Sequence, residues 1–319
     1  MLGLGLSITL GGVVALSAAA KLAKAFKARV EADGGTVESM ACLTTDLTYL
    51  TNNPVAPDFT GLLNDYSGAA AAYSLRLLDN TYSGNAVRVR RASDNAEQDI
   101  GFANNQLDTT SLETFCSGTD GFVAIWYDQS GNAANTAQAT AAKQPKIVTS
   151  GSAITENGKP VVQFDGGNDQ LTRIFGTTYS QPTYSFLTHN FTSAPDAFDG
   201  VVGSIGTEHR LIVNPSLKYT LQAGGALGYN SYSLNQSLLS YKIQGSDPKM
   251  FFNGTQQSIS SGSAIGSDGL QGIILAGIVS GSNNGNTPVQ IQELVIYGSD
   301  QDSNRTGIET NINTHYSIY

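Results

Sequence analysis

The chain reads as mainly β: an antiparallel sandwich with a small helical hairpin at its N-terminal end and a closing helix at its C-terminal end. Three observations lead there. Short runs of β-branched and aromatic residues recur from residue 86 onward, separated by Gly, Asn, Ser and Asp. No long helical period intervenes between them, so the strands must pair with one another. Composition agrees, because 35 of the 319 residues are Gly, 13% are charged and 40% are hydrophobic, which suits a turn-rich folded domain and opposes disorder.

The clearest strand is Gly121-Phe-Val-Ala-Ile-Trp126, which runs through Tyr127 into the turn Asp128-Gln-Ser-Gly-Asn132. Phe122, Ala124 and Trp126 fall on one face and Val123, Ile125 and Tyr127 on the other, so both faces call for cover. Further strands are expected at Ala86–Arg91, Lys146–Thr149, Pro160–Phe164, Thr183–His189, Gly200–Ile205, Arg210–Val213 and Lys218–Gln222. The pattern continues at Leu238–Gln244, Lys249–Phe252, Gly272–Val279 and Val289–Tyr297, with Asn253-Gly254 as a hairpin turn. Ala70–Leu78 and Ser111–Phe115 read as short helices, and Ile308 and Ile312 place a helix near the end of the chain.

Residues 1–53 have another character. Ala15 to Asp33 carries a helical apolar stripe with Lys21, Lys24 and Lys27 beside it; Gly34-Gly35 stops it. Met40, Leu43, Leu47 and Leu50 then suggest a second helix. Such a hairpin buries little alone, so residues 1–53 read as an anchoring or assembly segment, 54–69 as a linker and 70–319 as the main domain. Residues 2–20 lack charge, but the basic cluster follows the apolar run, the reverse of a secretory signal, and the run is short for a membrane span.

The net charge of −9 opposes a nucleic-acid partner, which needs Lys and Arg for phosphates. Cys42 and Cys116 read as unpaired thiols, and three His give little support for a metal centre or a serine triad. No cofactor is expected. Alternating Val and Arg in Val87-Arg-Val-Arg-Arg91 suggests pairing with Asp94, Glu97 and Asp99; a phosphate or sulfate site is the alternative.

Ala72-Tyr-Ser-Leu-Arg-Leu-Leu78, Ala86-Val-Arg-Val-Arg-Arg-Ala-Ser-Asp94, Thr114-Phe-Cys116 and Trp126-Tyr-Asp-Gln-Ser-Gly-Asn132 resemble the start of the catalytic domain of the fungal α-L-arabinofuranosidases of glycoside hydrolase family 54. Val161-Val-Gln-Phe-Asp-Gly166 and Met250-Phe-Phe-Asn-Gly254 resemble strand motifs of laminin-G-like and concanavalin A-like jelly rolls. The resemblance implies a jelly-roll sandwich over residues 70–319 and is dense between 70 and 166. It also implies two carboxylates, a Glu nucleophile on a mid-domain strand and an Asp acid/base in a Gly-rich loop. The corresponding segments, His209–Tyr219 and Ser280–Gly285, contain neither, with Glu208 just outside the first. Cys116 matches one half of a family disulfide whose other position here is Gly121, and the family's adjacent cysteine pair is absent. Ala28-Arg-Val-Glu-Ala-Asp-Gly-Gly-Thr-Val-Glu-Ser39 resembles short segments of structural proteins of tailed bacteriophages.

Candidate carbohydrate-binding residues follow. Trp126 fits a sugar-stacking platform or a core position; Asp128 and Asn132 fit a sugar or calcium contact or their own turn. Tyr229 and Tyr232 lie in a Gly/Asn/Ser-rich loop suited to stacking. Asp165-Gly-Gly-Asn-Asp169 has oxygen ligands of the calcium type, or is a simple acidic turn. The resulting expectation is a non-catalytic virion structural protein of a tailed phage, with a glycan-binding jelly roll facing outward. Its partners would be other virion proteins through residues 1–53 and a host-surface glycan, in a homo-oligomer or larger assembly, without a membrane span. The alternatives are an arabinofuranosidase-like glycoside hydrolase and a secreted lectin-like adhesin.

Overall fold

The computed structural model describes residues 59–195, 198–214, 218–229, 233–262, 264–278 and 286–319. The expected N-terminal hairpin with Cys42, the linker's first residues 54–58, and Tyr232 lie outside them.

The domain is built on the strand Val289–Tyr297. It pairs antiparallel with Thr183–Phe191 on one side and with Ala69–Ser74 and Val162–Gln163 on the other. Thr183–Phe191 continues this layer to Ser237–Ile243 and Lys249–Phe252. Asn253 and Gly254, both at positive φ, turn the chain into Thr255–Gln256, as the Asn-Gly signal predicts. A second layer runs from Glu97–Ile100 through Val87–Arg91 to Gly121–Trp126. It continues by way of Thr136–Ala137 to Leu171–Tyr179, Leu270–Leu275, Asp199–Gly203, Arg210–Asn214, Lys218–Gln222 and Ala226–Tyr229.

Every residue of the Val289–Tyr297 strand is buried, because its alternating side chains enter cores on both faces. Leu294 and Ile296 enter the main core together with Leu187, Trp126, Leu221 and Ile273. Val295 and Tyr297 point the other way, into a second core with Phe186, Ile308 and Ile312 under the helix Arg305–Tyr316. A register shift opposite Thr188 and His189 resets the phase, so Val289 and Ile291 again join the main core. The expected closing helix thus seals a face that would otherwise meet water.

One element differs from expectation. Ala70–Leu78 reads as a helix, yet Ala69–Ser74 is a strand. Alanine favours helix in isolation, but four small residues in a row suit a strand covered on both faces, and tertiary packing overrides propensity. Ala70 and Ala71 join the main core, while Ala69 and Ala72 join the second. Just before it, Leu62–Asp65 forms a helical turn whose Leu62 and Leu63 are buried in that second core.

On Gly121–Trp126 the Phe122 ring is covered by two cations. The Arg90 guanidinium lies 4.8 Å and the Lys146 ammonium 5.5 Å from the Phe122 ring centre. Arg88 grips Asp99 through two hydrogen bonds of 2.8 and 2.9 Å, and Arg91 grips Asp94 in the same way. Asp99 and Asp94 are two of the three acid partners expected for the Val-Arg-Val-Arg-Arg run, while Arg90 bonds Gln144 and Asn95. No described helix is long and apolar enough to cross a membrane.

Candidate functional site

The Trp126–Asn132 motif acts as a clasp on the first strand. Trp126 is fully buried; its indole N–H donates to the Ser74 carbonyl at 3.4 Å and its ring packs against Tyr73. Asp128 Oδ1 accepts the Ala72 N–H at 2.8 Å, and Oδ2 accepts the Ala134 N–H at 2.9 Å. Gln129 accepts from the Leu78 N–H and donates to the carbonyls of Ser74 and Arg76. Asn132, exposed, donates to the carbonyls of Ala69 and Ala70. Tyr229 is 1% exposed, and burial pushes its phenol up to about 12. Sugar stacking needs an open ring face, and Trp126 and Tyr229 present none in this arrangement. The structure brings Trp126, Asp128 and Asn132 together as a backbone lock, with Tyr229 on a separate strand.

Asp165-Gly-Gly-Asn-Asp169 closes on itself. Asp165 Oδ1 accepts the N–H groups of Gly167 and Asn168, and the Asp165 N–H donates to Asp169 Oδ2 at 3.1 Å. Burial, then the neighbouring Asp165 charge, pushes Asp169 up to about 7. No group of three or more His, Cys, Asp or Glu residues among those described is placed to share a metal ion.

Two acidic residues line one cleft elsewhere. A cleft of about 420 Å³ opens beside the turn that follows Asp199–Gly203, lined by Ser204, Thr207, Glu208, Arg210, Asp268 and Ile274 among others. Asp268 Oδ2 accepts the Glu208 N–H at 3.1 Å. The Glu208 carboxylate takes a hydrogen bond from Gln222 Nε2 at 3.0 Å on one oxygen and faces Arg210 Nη2 at 3.3 Å on the other. Arg210 and Gln222 are cross-strand partners, so the sheet itself fixes both donors. Asp268 comes from the Gly/Ser-rich segment before Leu270–Leu275, and its N–H donates to the Ala223 carbonyl at 3.2 Å. Between Glu208 and Arg210, His209 is buried; desolvation lowers its pKa, while contacts with the Asp268 backbone and charge oppose that shift.

The resemblance places an acid in Ser280–Gly285 and assigns nothing to Asp268. The available signal was its setting, Gly262-Ser-Ala-Ile-Gly-Ser-Asp-Gly269, another Gly-rich loop nearer the start of the same strand. The segment Val279–Gly285 lies outside the described residues.

Residues 65–168 match the family model for the catalytic region of α-L-arabinofuranosidase B. The sandwich is arabinofuranosidase-like. Among solved structures it resembles a Glu-to-Gln mutant of a glycoside hydrolase family 54 α-L-arabinofuranosidase soaked with 4-nitrophenyl α-L-arabinofuranoside, at TM-score 0.52 and 19% identity, covering 76% of this chain and 62% of that one. It also resembles an arabinofuranosidase complexed with arabinofuranosyl-α-1,2-xylobiose, at TM-score 0.51 and 19% identity with the same coverage. The α-L-arabinofuranosidase B of Penicillium canescens is 39% identical over 72 residues, which is 22% of this chain and 16% of that protein. The chain therefore spans less than two thirds of these relatives.

These relatives overturn the virion reading: they are arabinofuranosidases, the class held as its alternative. The phage resemblance rested on twelve residues, Ala28–Ser39, outside the described structure. The 65–168 match includes the clasp of the arabinofuranosidase-like domain and ends before Glu208 and Asp268.

Proposed function

We propose that this is an arabinofuranosidase-like glycoside hydrolase domain, with the Glu208–Asp268 cleft as its sugar-binding and reaction site. The supporting observation is that two carboxylates from separate segments converge on one open cleft, linked through the Glu208 N–H. Glycoside hydrolysis asks for such a pair. Glu208 receives a hydrogen bond on one oxygen and faces a guanidinium with the other, which suits attack on the anomeric carbon. Asp268 then takes the acid role. It gives a proton to the leaving oxygen as the glycosidic C–O bond breaks, and recovers one from the water that releases the sugar from Glu208. Ile274 and Ile278 line the same cleft and supply apolar surface for the sugar's C–H groups.

The test is turnover of 4-nitrophenyl α-L-arabinofuranoside by the purified chain, with E208Q and D268N alongside. Release of nitrophenol by the wild type, reduced at least about a thousandfold in E208Q, supports the reading. Wild-type activity that survives both substitutions would place the chemistry elsewhere. No turnover on a panel of furanosides and pyranosides would remove the hydrolase assignment.

A further inference from the structure

We infer that His209 is the positioning residue of the cleft, a neutral bracket that holds the Asp268 loop opposite Glu208. This rests on the reading of the cleft as the reaction site and goes beyond it by assigning a residue that touches neither reacting oxygen. His209 Nδ1 lies 2.9 Å from the Asp268 carbonyl and Nε2 lies 2.8 Å from Thr183 Oγ1. A carbonyl only accepts, so Nδ1 carries the proton; in the neutral ring Nε2 then accepts from the Thr183 hydroxyl. The tautomer is set by its partners.

The bracket joins three parts of the fold. Thr183 begins a strand of the opposite layer and is 2% exposed. Asp268 sits on the loop before Leu270–Leu275, and His209 itself separates the two charged residues Glu208 and Arg210. Gln181 donates to the carbonyls of Gly266 and Asp268 at 3.2 and 3.1 Å, so the loop backbone is held from two directions. Glu208 approaches Asp268 through a backbone N–H, so a shift of the loop would separate the pair directly. Misplacing a catalytic group by about 1 Å costs on the order of a hundredfold in rate.

His209→Leu removes both hydrogen bonds, His209→Gln keeps a donor and an acceptor, and Thr183→Val removes only the far support. With 4-nitrophenyl α-L-arabinofuranoside, H209L is expected to lose about 30- to 100-fold in kcat with KM changed less than about threefold. H209Q should recover most of that loss, and T183V should fall between. Amide exchange gives a readout independent of turnover: in H209L and T183V the Glu208 and Asp268 N–H groups should exchange at least about tenfold faster, with the Val289–Tyr297 strand unchanged. If the wild type turns over no substrate but the exchange pattern appears, the hydrolase reading fails and the bracket stands. A folded H209L with unchanged kcat, or unchanged exchange at Glu208 and Asp268, overturns the bracket. If H209L does not fold, T183V decides by the same two readouts.

Discussion

Arg76 and Glu293, 217 residues apart in sequence, form a two-pronged ion pair inside the second core, with Nε–Oε2 at 2.7 Å and Nη2–Oε1 at 2.9 Å. Ser74 Oγ donates to the same carboxylate at 2.8 Å and Tyr316 Oη at 3.2 Å. Burial by itself would raise the Glu293 carboxyl; Arg76, then Ser74, hold it below its usual value. Arg76→Met should cost about 3–5 kcal/mol, because it strands a buried charge. The double variant Arg76→Met, Glu293→Leu should recover much of that loss in urea unfolding. Equal instability of single and double variants would refute the argument. Because the folded value is depressed, this stabilisation is present above the usual glutamate pKa and is lost as pH falls through the folded value.

Asp169 carries the opposite sign. Its folded value is pushed up to about 7 by burial and by Asp165. The folded state therefore holds a proton that the unfolded chain releases near pH 4, so stability declines from about pH 4 to about pH 7 and stays lower above that. Asp169→Asn should stabilise the domain at pH 8 by roughly 1–3 kcal/mol and have little effect near pH 4. Thermal melts at the two pH values check this; an equal effect at both would contradict it.

Gly121 lies where a side chain would meet Cys116. A Cβ built at residue 121 falls 2.7 Å from the Cys116 sulfur and 3.0 Å from Val148 Cβ. Gly121→Cys should therefore form a disulfide with Cys116. Under oxidising conditions the closed loop should stabilise the domain by about 1–2 kcal/mol. With reductant the same variant should be less stable than wild type, since the added atoms crowd Cys116 and Val148. Mass spectrometry and melts with and without dithiothreitol read both signs.

Lys242, on the strand Ser237–Ile243, gathers three carboxylates. Its ammonium meets Asp247 at 2.5 Å, Asp302 at 2.7 Å and Asp300 at 3.3 Å. Burial opposes its charge, but the hydrogen bonds it donates to Asp247, Asp302 and Asp300 outweigh that and raise its pKa. The carboxylates are a third to a half exposed, so solvent screens them. Lys242→Met should cost about 1–2 kcal/mol in low salt, with a smaller gap from wild type in 1 M NaCl. A gap unaffected by salt would assign the loss to packing alone.

The strands were legible in the sequence where β-branched runs ended in unambiguous turns, as at Gly121–Trp126 and Asn253-Gly254. Leu171–Tyr179 was not legible, because Thr, Arg and Gly interrupt it and much of it is exposed. Ala69–Ser74 misled because alanine carries helix propensity whereas its burial on both faces is a tertiary fact. The clasp residues Asp128 and Asn132 were found as a motif, but their work for the backbone depends on a strand some sixty positions earlier. Glu208 was noticed at the edge of a segment. Asp268 was not, since nothing local says that two loops sixty residues apart will meet.

The strand Val289–Tyr297 is the middle of its layer and follows both of its main partners in the sequence. Ala69–Ser74 and Thr183–Phe191 have no direct pairing with each other; each waits for this late arrival. Synthesis therefore leaves two open sheet edges until Val289–Tyr297 has been made. Such long-range pairing is slow and leaves the nascent chain open to wrong partners. A ribosome-stalled chain ending before Val289 should be protease-sensitive throughout, and one extended past Tyr316 and clear of the exit tunnel should not.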